Sequence, residues 1–372
     1  MTTMRPGIEL LVAMLRGDPA PQHAEDATLA ALLEAAGHES VLPWVTERLK
    51  ADKVELNQKQ AERIQVIRRE AQVAAFVWME TLKGILTAFH RADVQVIPLK
   101  GPCAAERLYG DAALRTCHDL DLLVRSSDLP RAESLLADLG FARSGYPDDY
   151  QTSWRRNKLT VELHHNVENP RAFDFGVDAA WDSAYLSQFQ GIPVWLLAPS
   201  DELLYLCLHA VRHRFDRLSL VLDLVQAFRQ LPLAAGSRFR ERASCCDNAL
   251  VFGWAMATQV DPQIPLPEGT GVTSEDQKRL QELAQRLWKE HLAEAPQTLD
   301  WAAQHRFYVE VETPGWRRVL RHGRHFGILF TRVIDADFEF AARFRMRRRW
   351  QVRLLRPVRL LTKNVHSSLG NA

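Results

Sequence analysis

Several features that would place the chain in a special class are missing or scarce among its 372 residues. Its five cysteines form an odd set without a C-x-x-C pair, which argues against a disulfide framework and against a zinc ribbon. No segment reaches the ~18 uncharged apolar residues that a membrane-spanning helix needs. The apolar stretch near the N-terminus is interrupted by Glu9 and lacks a small-residue cleavage site, unlike a secretory signal. From these absences we expect a cytoplasmic protein.

The sequence also lacks the glycine-rich and nucleophile motifs of several enzyme classes. It contains no G-x-x-x-x-G-K-[ST] loop, no G-x-G-x-x-G turn and no G-x-S-x-G elbow. An excess of one charge sign is missing too, because the formal net charge is only +1, so total charge gives no argument for a nucleic-acid partner. With 47% apolar and 25% charged residues the composition is that of an ordinary globular protein, and the length suggests two domains.

Helical periodicity dominates the chain from about residue 25 to residue 91. Leu29, Leu32 and Leu33 recur at helical spacing, and Gly37 is the expected stop of that helix. A longer helix is predicted from Gln60 to about His90. We expect its apolar stripe to be buried: Ile64, Ile67, Ala71, Ala74 or Ala75, Trp78, Leu82, Ile85 and Phe89.

Strands and helices alternate in the next part of the chain. The pattern predicts strands at residues 94–97, 118–124, 150–156 and 159–165. Lys100-Gly101-Pro102 breaks the first strand, and helices are expected at 103–109 and 130–139. The last two strands form a hairpin through Asn157-Lys158, beside the strand at 118–124. From Ser200 onward the pattern is mainly helical. The sequence thus predicts an α+β fold, with a small mixed β-sheet flanked by helices and a mainly helical second domain.

Acidic side chains lie on two of the predicted strands. Because successive side chains of a strand point to opposite faces, Asp119 and Asp121 should project together. The same alternation places Glu162 and His164 on one face of the later strand. Mg²⁺ is commonly held by one or two carboxylates together with substrate phosphates. A third carboxylate beside the Asp pair would therefore favour metal-dependent phosphate chemistry, while a solvated strand-face carboxylate is the alternative for Glu162.

A family resemblance extends over roughly residues 60–228. It is carried by LKGPCAAERLYGDAALRTCHDLDLLVRSSDLPRAESLLADLGF, which follows the progression L-K-G, L-Y, R-x-x-x-D-x-D-L-L-V, L-G-F, and by VELHH and HAVRHRFDRLSLVLDL. This pattern resembles an uncharacterised nucleotidyltransferase family of the DNA polymerase beta-like nucleotidyltransferase superfamily. We accordingly expect an N-terminal helical segment at 1–59, a nucleotidyltransferase core at 60–199, a helical domain at 200–340 and a basic C-terminal segment at 341–372.

The resemblance also implies a catalytic site and its ligands. Asp119, Asp121 and Glu162 match the three catalytic, metal-binding carboxylates, and Lys100-Gly101 matches the turn on the phosphate side. Two Mg²⁺ ions, or Mn²⁺ in their place, are expected between these carboxylates and a nucleoside triphosphate, for which ATP is the guess. Glu162 is assigned to the ion that activates the acceptor hydroxyl, and it could itself accept the proton. Arg115 either neutralises phosphate charge or braces Asp119.

Three histidines complete the predicted nucleotide contacts: His164, His209 and His213. The last two share a helix face at i and i+4 but lack the intervening glutamate of a zinc protease, so they either line the cleft or satisfy a polar contact within the helical domain.

Asp223 lies in an apolar run, where an unpaired carboxylate would be costly, and we expect it to pair with a base such as Arg217 or His213.

These features predict transfer of a nucleoside monophosphate from a nucleoside triphosphate to a hydroxyl acceptor, with a small molecule or a peptide favoured over an RNA end. A catalytically inactive nucleotidyltransferase fold that serves as a binding or regulatory module is the alternative from another class. A D-x-D glycosyltransferase is disfavoured, because the residues before the Asp pair look helical rather than strand-rich.

Eight arginines between Arg343 and Arg359 form either a solvated helix or a contact for nucleic acid or an anionic membrane.

Overall fold

The computed structural model describes residues 5–23, 25–145, 150–167, 175–231 and 246–293, together with 307, 310–311, 335–342, 344 and 350–356. The N-terminal helices are α1 (Ile8–Leu15), α2 (Asp26–His38), α3 (Leu42–Ala51) and α4 (Gln58–Arg91). The mixed region contains β1 (Val96–Pro98), α5 (Pro102–Tyr109), a 3-10 turn (Ala112–Leu114), β2 (Leu120–Val124), α6 (Leu129–Asp138), β3 (Ala142–Ser144), β4 (Gln151–Arg156) and β5 (Leu159–His164). It is followed by α7 (Val177–Ser183), β6 (Tyr185–Phe189), β7 (Ile192–Leu196), α8 (Pro199–Arg212), α9 (Leu218–Gln230), α10 (Asp247–Ala257), α11 (Ser274–Ala293) and α12 (Asp335–Ala342).

A five-stranded sheet forms the centre of the mixed region, with strand order β1-β2-β5-β4-β3. Strands β2 and β5 are parallel neighbours, whereas the other adjacent pairs are antiparallel. The hairpin of β4 and β5 therefore lies beside β2, as predicted. The α+β class and the small mixed sheet are confirmed.

Some strands have no counterpart in the sequence prediction. Strand β3 pairs with β4 at the edge of the large sheet. Strands β6 and β7 form a separate two-stranded sheet, and they are joined by Gln190 and Gly191, whose φ angles are 49° and 78°. Positive φ at both central residues matches the twist of a tight hairpin turn. Gln-Gly is a weaker signal for such a turn than Asn-Gly or Asp-Gly, so the hairpin was missed.

The buried apolar side chains form two main clusters. The first joins α1, α2 and α3 to α8, α9, α10 and α11. The second lies between the large sheet, α6 and the last turns of α4, and it includes Leu120, Leu122 and Val124 of β2. The N-terminal helices and the helices that follow the sheet thus share one core, although the sheet separates them in the chain.

Helix α4 connects these two clusters. Ile64 belongs to the first, whereas Trp78, Leu82 and Phe89 belong to the second. A helix of 34 residues measures about 50 Å, which is longer than either cluster. Its middle is therefore not core, and the predicted burial was wrong for Ile67, Ala71 and Ala75, which are half-buried, and for Ala74, which is exposed.

Several helix boundaries differ from the sequence prediction by one or two residues, and those of α2 and α4 have a clear cause. Gly37 does not stop α2, which runs to His38 and leaves Ser40 to adopt the positive φ of 57° after the helix. Helix α4 begins at Gln58 rather than Gln60. Its cap is Asn57, whose side chain accepts a hydrogen bond from the Gln60 N–H at 3.0 Å, while the Gln60 side chain accepts from the Asn57 N–H.

The arginine-rich segment is described only in part. Residues 350–356 are helical, and Arg356 is buried in an ion pair with Asp337 of α12. Besides Arg353 and Arg356, the arginines of this segment lie outside the described residues. None of the described helices combines the length and the apolar character needed to cross a lipid bilayer.

Candidate active site

Two acidic side chains face each other across the parallel strands β2 and β5. Asp121 and Glu162 are partners in the strand register, so only one strand spacing of about 4.8 Å separates their backbones. Asp121 is 2% exposed and Glu162 is 23% exposed. Asp119 lies one residue before β2 rather than on it, and it is 36% exposed. The structure therefore brings together the buried Asp121 and the partly exposed Glu162, with Asp119 nearer the surface.

A histidine joins the two carboxylates. His164 Nε2 lies 3.3 Å from Asp121 Oδ1 and 3.7 Å from Glu162 Oε2. One ligand atom from each of these three residues lies within 4.8 Å of the others, which is a geometry that could hold a metal ion. This cluster differs from the one that the family resemblance implied, because His164 takes the place expected for Asp119.

The surroundings of Glu162 keep it negatively charged. Burial raises the pKa of its carboxyl, but this effect is outweighed by His164, through a hydrogen bond and its charge, and by the positive charges of Arg212 and Lys100. The resulting pKa is about 2. Glu162 is therefore a strong anionic ligand and a weak proton acceptor at neutral pH.

A buried lysine lies on the opposite side of Asp121. Lys100 Nζ forms an ion pair with Asp121 Oδ2 and lies 4.0 Å from Asp119 Oδ1. Burial lowers the pKa of its ammonium to about 8, although the charge of Asp119 acts in the other direction. Gly101 follows with φ of 81°, and a Cβ there would come within 3.0 Å of Leu120 Cδ2. The turn thus needs glycine, and this turn directs Lys100 into the site.

Helix α8 contributes a second polar wall. His209 Nε2 lies 3.4 Å from Lys100 Nζ, and Arg212 Nη2 lies 3.3 Å from His209 Nδ1 and 3.2 Å from His213 Nε2. Burial, reinforced by these cationic neighbours, lowers the pKa of His209 well below its usual range and that of His213 to about 3. Both imidazoles are neutral at pH 7. They line the cleft and also satisfy polar contacts within the helical region, which were the two alternatives that the sequence left open.

Arg115 pairs with a carboxylate of α9 rather than with Asp119, and it also lines the cavity beside the site. It donates through Nε and Nη2 to Asp223 of α9 at 2.8–3.0 Å, and the Tyr109 hydroxyl donates to the same carboxylate at 2.6 Å. The expectation that Arg115 braces Asp119 was therefore wrong. The expectation that Asp223 pairs with Arg217 or His213 was also wrong, since Arg115 and Tyr109 are its partners.

A cavity of about 190 Å³ opens above these groups. Its lining is rich in basic and imidazole side chains, and it comprises Ser40, Lys100, Arg115, Thr116, His118, Asp119, Glu162, His209, Arg212, His213, Arg217, Ser219 and Leu220. Four of these residues are lysine or arginine and two are acidic. An excess of positive charge on the walls favours an anionic ligand.

Sequence reasoning missed several of the polar residues at this site. Arg212 bridges the two predicted histidines and also donates to the Tyr150 hydroxyl at 3.2 Å. Tyr205 donates to Asp121 Oδ2 at 3.5 Å. A local signal existed for both, because Tyr205, Arg212 and the two histidines recur at intervals of three and four residues on one helix. Ser40 follows α2 and gave no local signal.

A family model described as an uncharacterised nucleotidyltransferase matches residues 25–259. The chain belongs to this family. The resemblance noted in the sequence is confirmed, and the match extends beyond both ends of the resembling segment. Membership assigns the chain to the nucleotidyltransferase class of enzymes and leaves its nucleotide and acceptor unassigned. No curated protein is significantly similar to the sequence.

Solved structures of other nucleotidyltransferases align with parts of this family member. The solution structure of the antibiotic-resistance factor ANT(2'')-Ia is 14% identical and covers 41% of this chain and 84% of its own, with a TM-score of 0.34. A nucleotidyltransferase-like antigen from Paracoccidioides brasiliensis is 18% identical and covers 50% and 89%, with a TM-score of 0.34. A tRNA nucleotidyltransferase, complexed with a primer tRNA and an incoming ATP analogue, is 13% identical and covers 76% and 99%, with a TM-score of 0.21. At these TM-scores no role of a residue is transferred.

Proposed function

We propose that the chain transfers a nucleoside monophosphate from a nucleoside triphosphate to a hydroxyl acceptor. The observation that carries this proposal is the pair of Asp121 and Glu162, which are register partners on neighbouring strands beside a cavity with basic walls that Asp119 and Glu162 line. Carboxylates that can hold a cation lie beside lysine and arginine side chains that can hold phosphate. Displacement at a phosphoryl group depends on this combination of charge stabilisation and positioning.

The donor set of Asp121, Glu162 and His164 fits a divalent ion. Two carboxylate oxygens and one imidazole nitrogen lie within 4.8 Å of one another, and neighbouring basic groups hold the pKa of Glu162 at about 2. Mg²⁺ is the ion we expect there, with Mn²⁺ as its substitute. When bound, the ion supplies positive charge to the transferring phosphoryl group and lowers the pKa of the acceptor hydroxyl.

The cavity is where we expect the polyphosphate part of the substrate to bind. Its volume of about 190 Å³ is below the ~300–1,000 Å³ that complete ligand pockets usually have, so we expect the nucleoside to extend toward the rim. Lys100, Arg212 and Arg217 line this cavity, and we assign them to the phosphates. Arg115 also lines it and is held in place by its ion pair with Asp223. ATP is the nucleotide that we propose.

Glu162 and Asp119 have different roles in this proposal. With a pKa of about 2, Glu162 stays ionised while the acceptor hydroxyl reacts, so its role is to hold and orient rather than to take the proton. Asp119 is exposed enough to meet the substrate directly. A small molecule or a peptide is the acceptor class we favour, because the total charge of +1 offers no general attraction for RNA.

Label transfer tests this proposal. The purified protein is incubated with nucleoside triphosphates labelled at the α-phosphate, Mg²⁺, and separate small-molecule, peptide and RNA fractions of a cell extract. We expect label to appear in the small-molecule or peptide fraction. Asp121→Asn and Glu162→Gln should each lower the rate by at least ~10²-fold, as expected for groups that act on transition-state charge.

Asp138→Asn is the matched control, because Asp138 is an exposed carboxylate at the end of α6. It should retain the rate within about twofold. A binding or regulatory module is distinguished by measuring nucleotide affinity calorimetrically in parallel. Nucleotide binding at micromolar concentration, without label in any fraction for any of the four common nucleotides, would favour the inactive module over the enzyme.

A further inference from the structure

The two carboxylate oxygens of Asp121 face different partners. Oδ2 forms the ion pair with Lys100 and also accepts a hydrogen bond from Tyr205. Oδ1 faces His164, which in turn approaches Glu162. Asp121 therefore stands between two places where positive charge can be held, one on the side of Asp119 and one on the side of Glu162.

The place beside Asp119 is already filled by part of the chain. Lys100 Nζ pairs with Asp121 and lies 4.0 Å from Asp119 Oδ1, and its side chain is only 9% exposed. An ammonium group has three N–H donors, and besides the two carboxylates Lys100 faces His209 Nε2 at 3.4 Å, a contact that a substrate phosphate oxygen would replace. The Lys100-Gly101 turn fixes this arrangement, because Gly101 adopts a conformation that other residues rarely take.

The place beside Glu162 has the donor set for a metal ion. Among the described residues, the group of acidic and histidine side chains with converging ligand atoms consists of Asp121, Glu162 and His164, and Asp119 is not part of it. Lys100 is the cation that faces Asp119 and Asp121. A divalent ion held by Asp121, Glu162 and a neutral His164 would be the second cation of the site.

We propose that Lys100 supplies the second positive charge of this site in place of a second metal ion, so that the chain binds one divalent ion at Asp121, Glu162 and His164. This inference rests on the proposed function and makes it more specific. Lys100 then contacts the polyphosphate from the side of Asp119, where two aspartates would otherwise share an ion. The expectation of two ions, which came from the family resemblance, is replaced by one ion and one ammonium group.

Counting bound Mn²⁺ tests the inference without any turnover. The paramagnetic resonance signal of free Mn²⁺ is recorded as the ion is titrated into the protein in the absence of nucleotide. We expect one ion per chain for the wild type and two for Lys100→Met, in which Asp119 and Asp121 lose their internal cation. Lys158→Met, at the exposed turn between β4 and β5, is the matched control and should bind one ion.

Two carboxylate variants make the test independent of how well Lys100→Met folds. Asp119→Asn should leave the number of ions at one and their affinity within about twofold, because Asp119 is not a ligand of that ion. Glu162→Gln should weaken the same ion by at least about tenfold. Unfolding in urea, followed by circular dichroism, verifies that each variant is folded.

Three results would overturn the inference: two ions in the wild type, a single ion in folded Lys100→Met, or loss of the ion in Asp119→Asn. If two ions bind and label transfer still occurs, the proposed function stands and only the role of Lys100 is wrong. If no Mn²⁺ binds and no label is transferred, both the inference and the proposed function fail.

Discussion

At the residue scale, the buried ion pair of Arg115 and Asp223 is a clear determinant of stability beside the cleft. Arg115 is 14% exposed and Asp223 is 4% exposed, and Tyr109 completes the hydrogen bonding of the carboxylate. Removing one partner leaves the other charge buried and unpaired. We therefore expect Arg115→Met or Asp223→Asn to lower the free energy of unfolding by about 3–5 kcal/mol, as measured by urea denaturation.

The double variant Arg115→Met with Asp223→Asn is the control for this pairing. It removes both charges together, so its loss of stability should be smaller than the sum of the two single losses by at least about 1 kcal/mol. Strictly additive losses would show that the two side chains do not depend on each other.

The same scale shows which site residues could be predicted from the sequence. Asp121 and Glu162 were found because side-chain alternation and the hairpin prediction together place them on neighbouring strands. The partner of Asp223 could not be found, because Arg115 lies 108 positions away and nothing in the local sequence records that distance. His164 was placed on the correct face, but its position relative to Asp119 depends on where β2 begins.

At the element scale, two glycines give opposite predictions for the same substitution. Gly84 lies exposed in the interior of α4, and a Cβ there would meet nothing within 4 Å. Gly84→Ala should raise the free energy of unfolding by about 0.5–1 kcal/mol, because alanine restricts the unfolded chain more than glycine does. Gly191 has equal room but a φ of +78°, so Gly191→Ala should lower stability by about 1–2 kcal/mol.

Thermal unfolding of the two variants, followed by circular dichroism, measures both effects side by side. Since neither added methyl group meets a neighbour, any difference in sign comes from the backbone conformation alone. Equal shifts for Gly84→Ala and Gly191→Ala would contradict the tight hairpin turn assigned to β6 and β7.

A second prediction at this scale concerns the start of α4. Asn57 and Gln60 exchange side-chain to backbone hydrogen bonds at 3.0 Å, which satisfies two N–H groups of the first turn. Asn57→Ala should therefore lower the free energy of unfolding by about 1 kcal/mol, whereas Asn57→Ser should retain most of the stability because the serine hydroxyl also accepts the bond. Urea denaturation of the two variants distinguishes a cap from a merely polar surface residue.

Helices were predicted better than short strands for a physical reason. Periodicity over many residues identified α4 and the face that it could bury, but periodicity does not state what covers that face. The middle of α4 is consequently exposed, with Val66 at 55% and Phe76 at 60% exposure. Strands β3, β6 and β7 contain only three to five residues each. Their sequences, ARS, YLSQF and IPVWL, show no alternation of polar and apolar residues that would mark them as strands.

At the scale of the whole molecule, Glu39 connects segments that are far apart in the chain. Its side chain is fully buried. The carboxylate accepts hydrogen bonds from Arg5 Nη2 at 2.6 Å and from the Leu218 N–H at 2.8 Å, and it lies 2.9 Å from His291 Nε2. These partners come from the N-terminal end, from α11 and from the start of α9. The division into domains was predicted from the order of elements along the chain, which does not record that α1 to α3 pack on the helices that follow the sheet.

Acid should weaken this connection in a defined direction. Burial raises the pKa of Glu39, but hydrogen bonds from His291, Arg5 and the Leu218 N–H, together with the charge of His291, lower it below the value of 4.5 of the unfolded chain. A carboxyl with a lowered pKa in the folded state stabilises the protein fully above the unfolded pKa and loses that contribution as pH falls through the folded pKa. Stability from Glu39 is thus present at pH 7 and declines below about pH 4.5.

The variant Glu39→Gln isolates this contribution from that of the other acidic groups. We expect it to lower the free energy of unfolding at pH 7 by about 3 kcal/mol, since it leaves basic partners buried without their carboxylate. The difference between wild type and variant should shrink as the pH is lowered from 5 toward 3, because the wild-type carboxyl then becomes neutral as well. Urea denaturation at several pH values measures the difference directly. If the difference in free energy of unfolding between wild type and variant stayed constant over this range, the negative charge of Glu39 would not stabilise the packing of the N-terminal helices against α9 and α11.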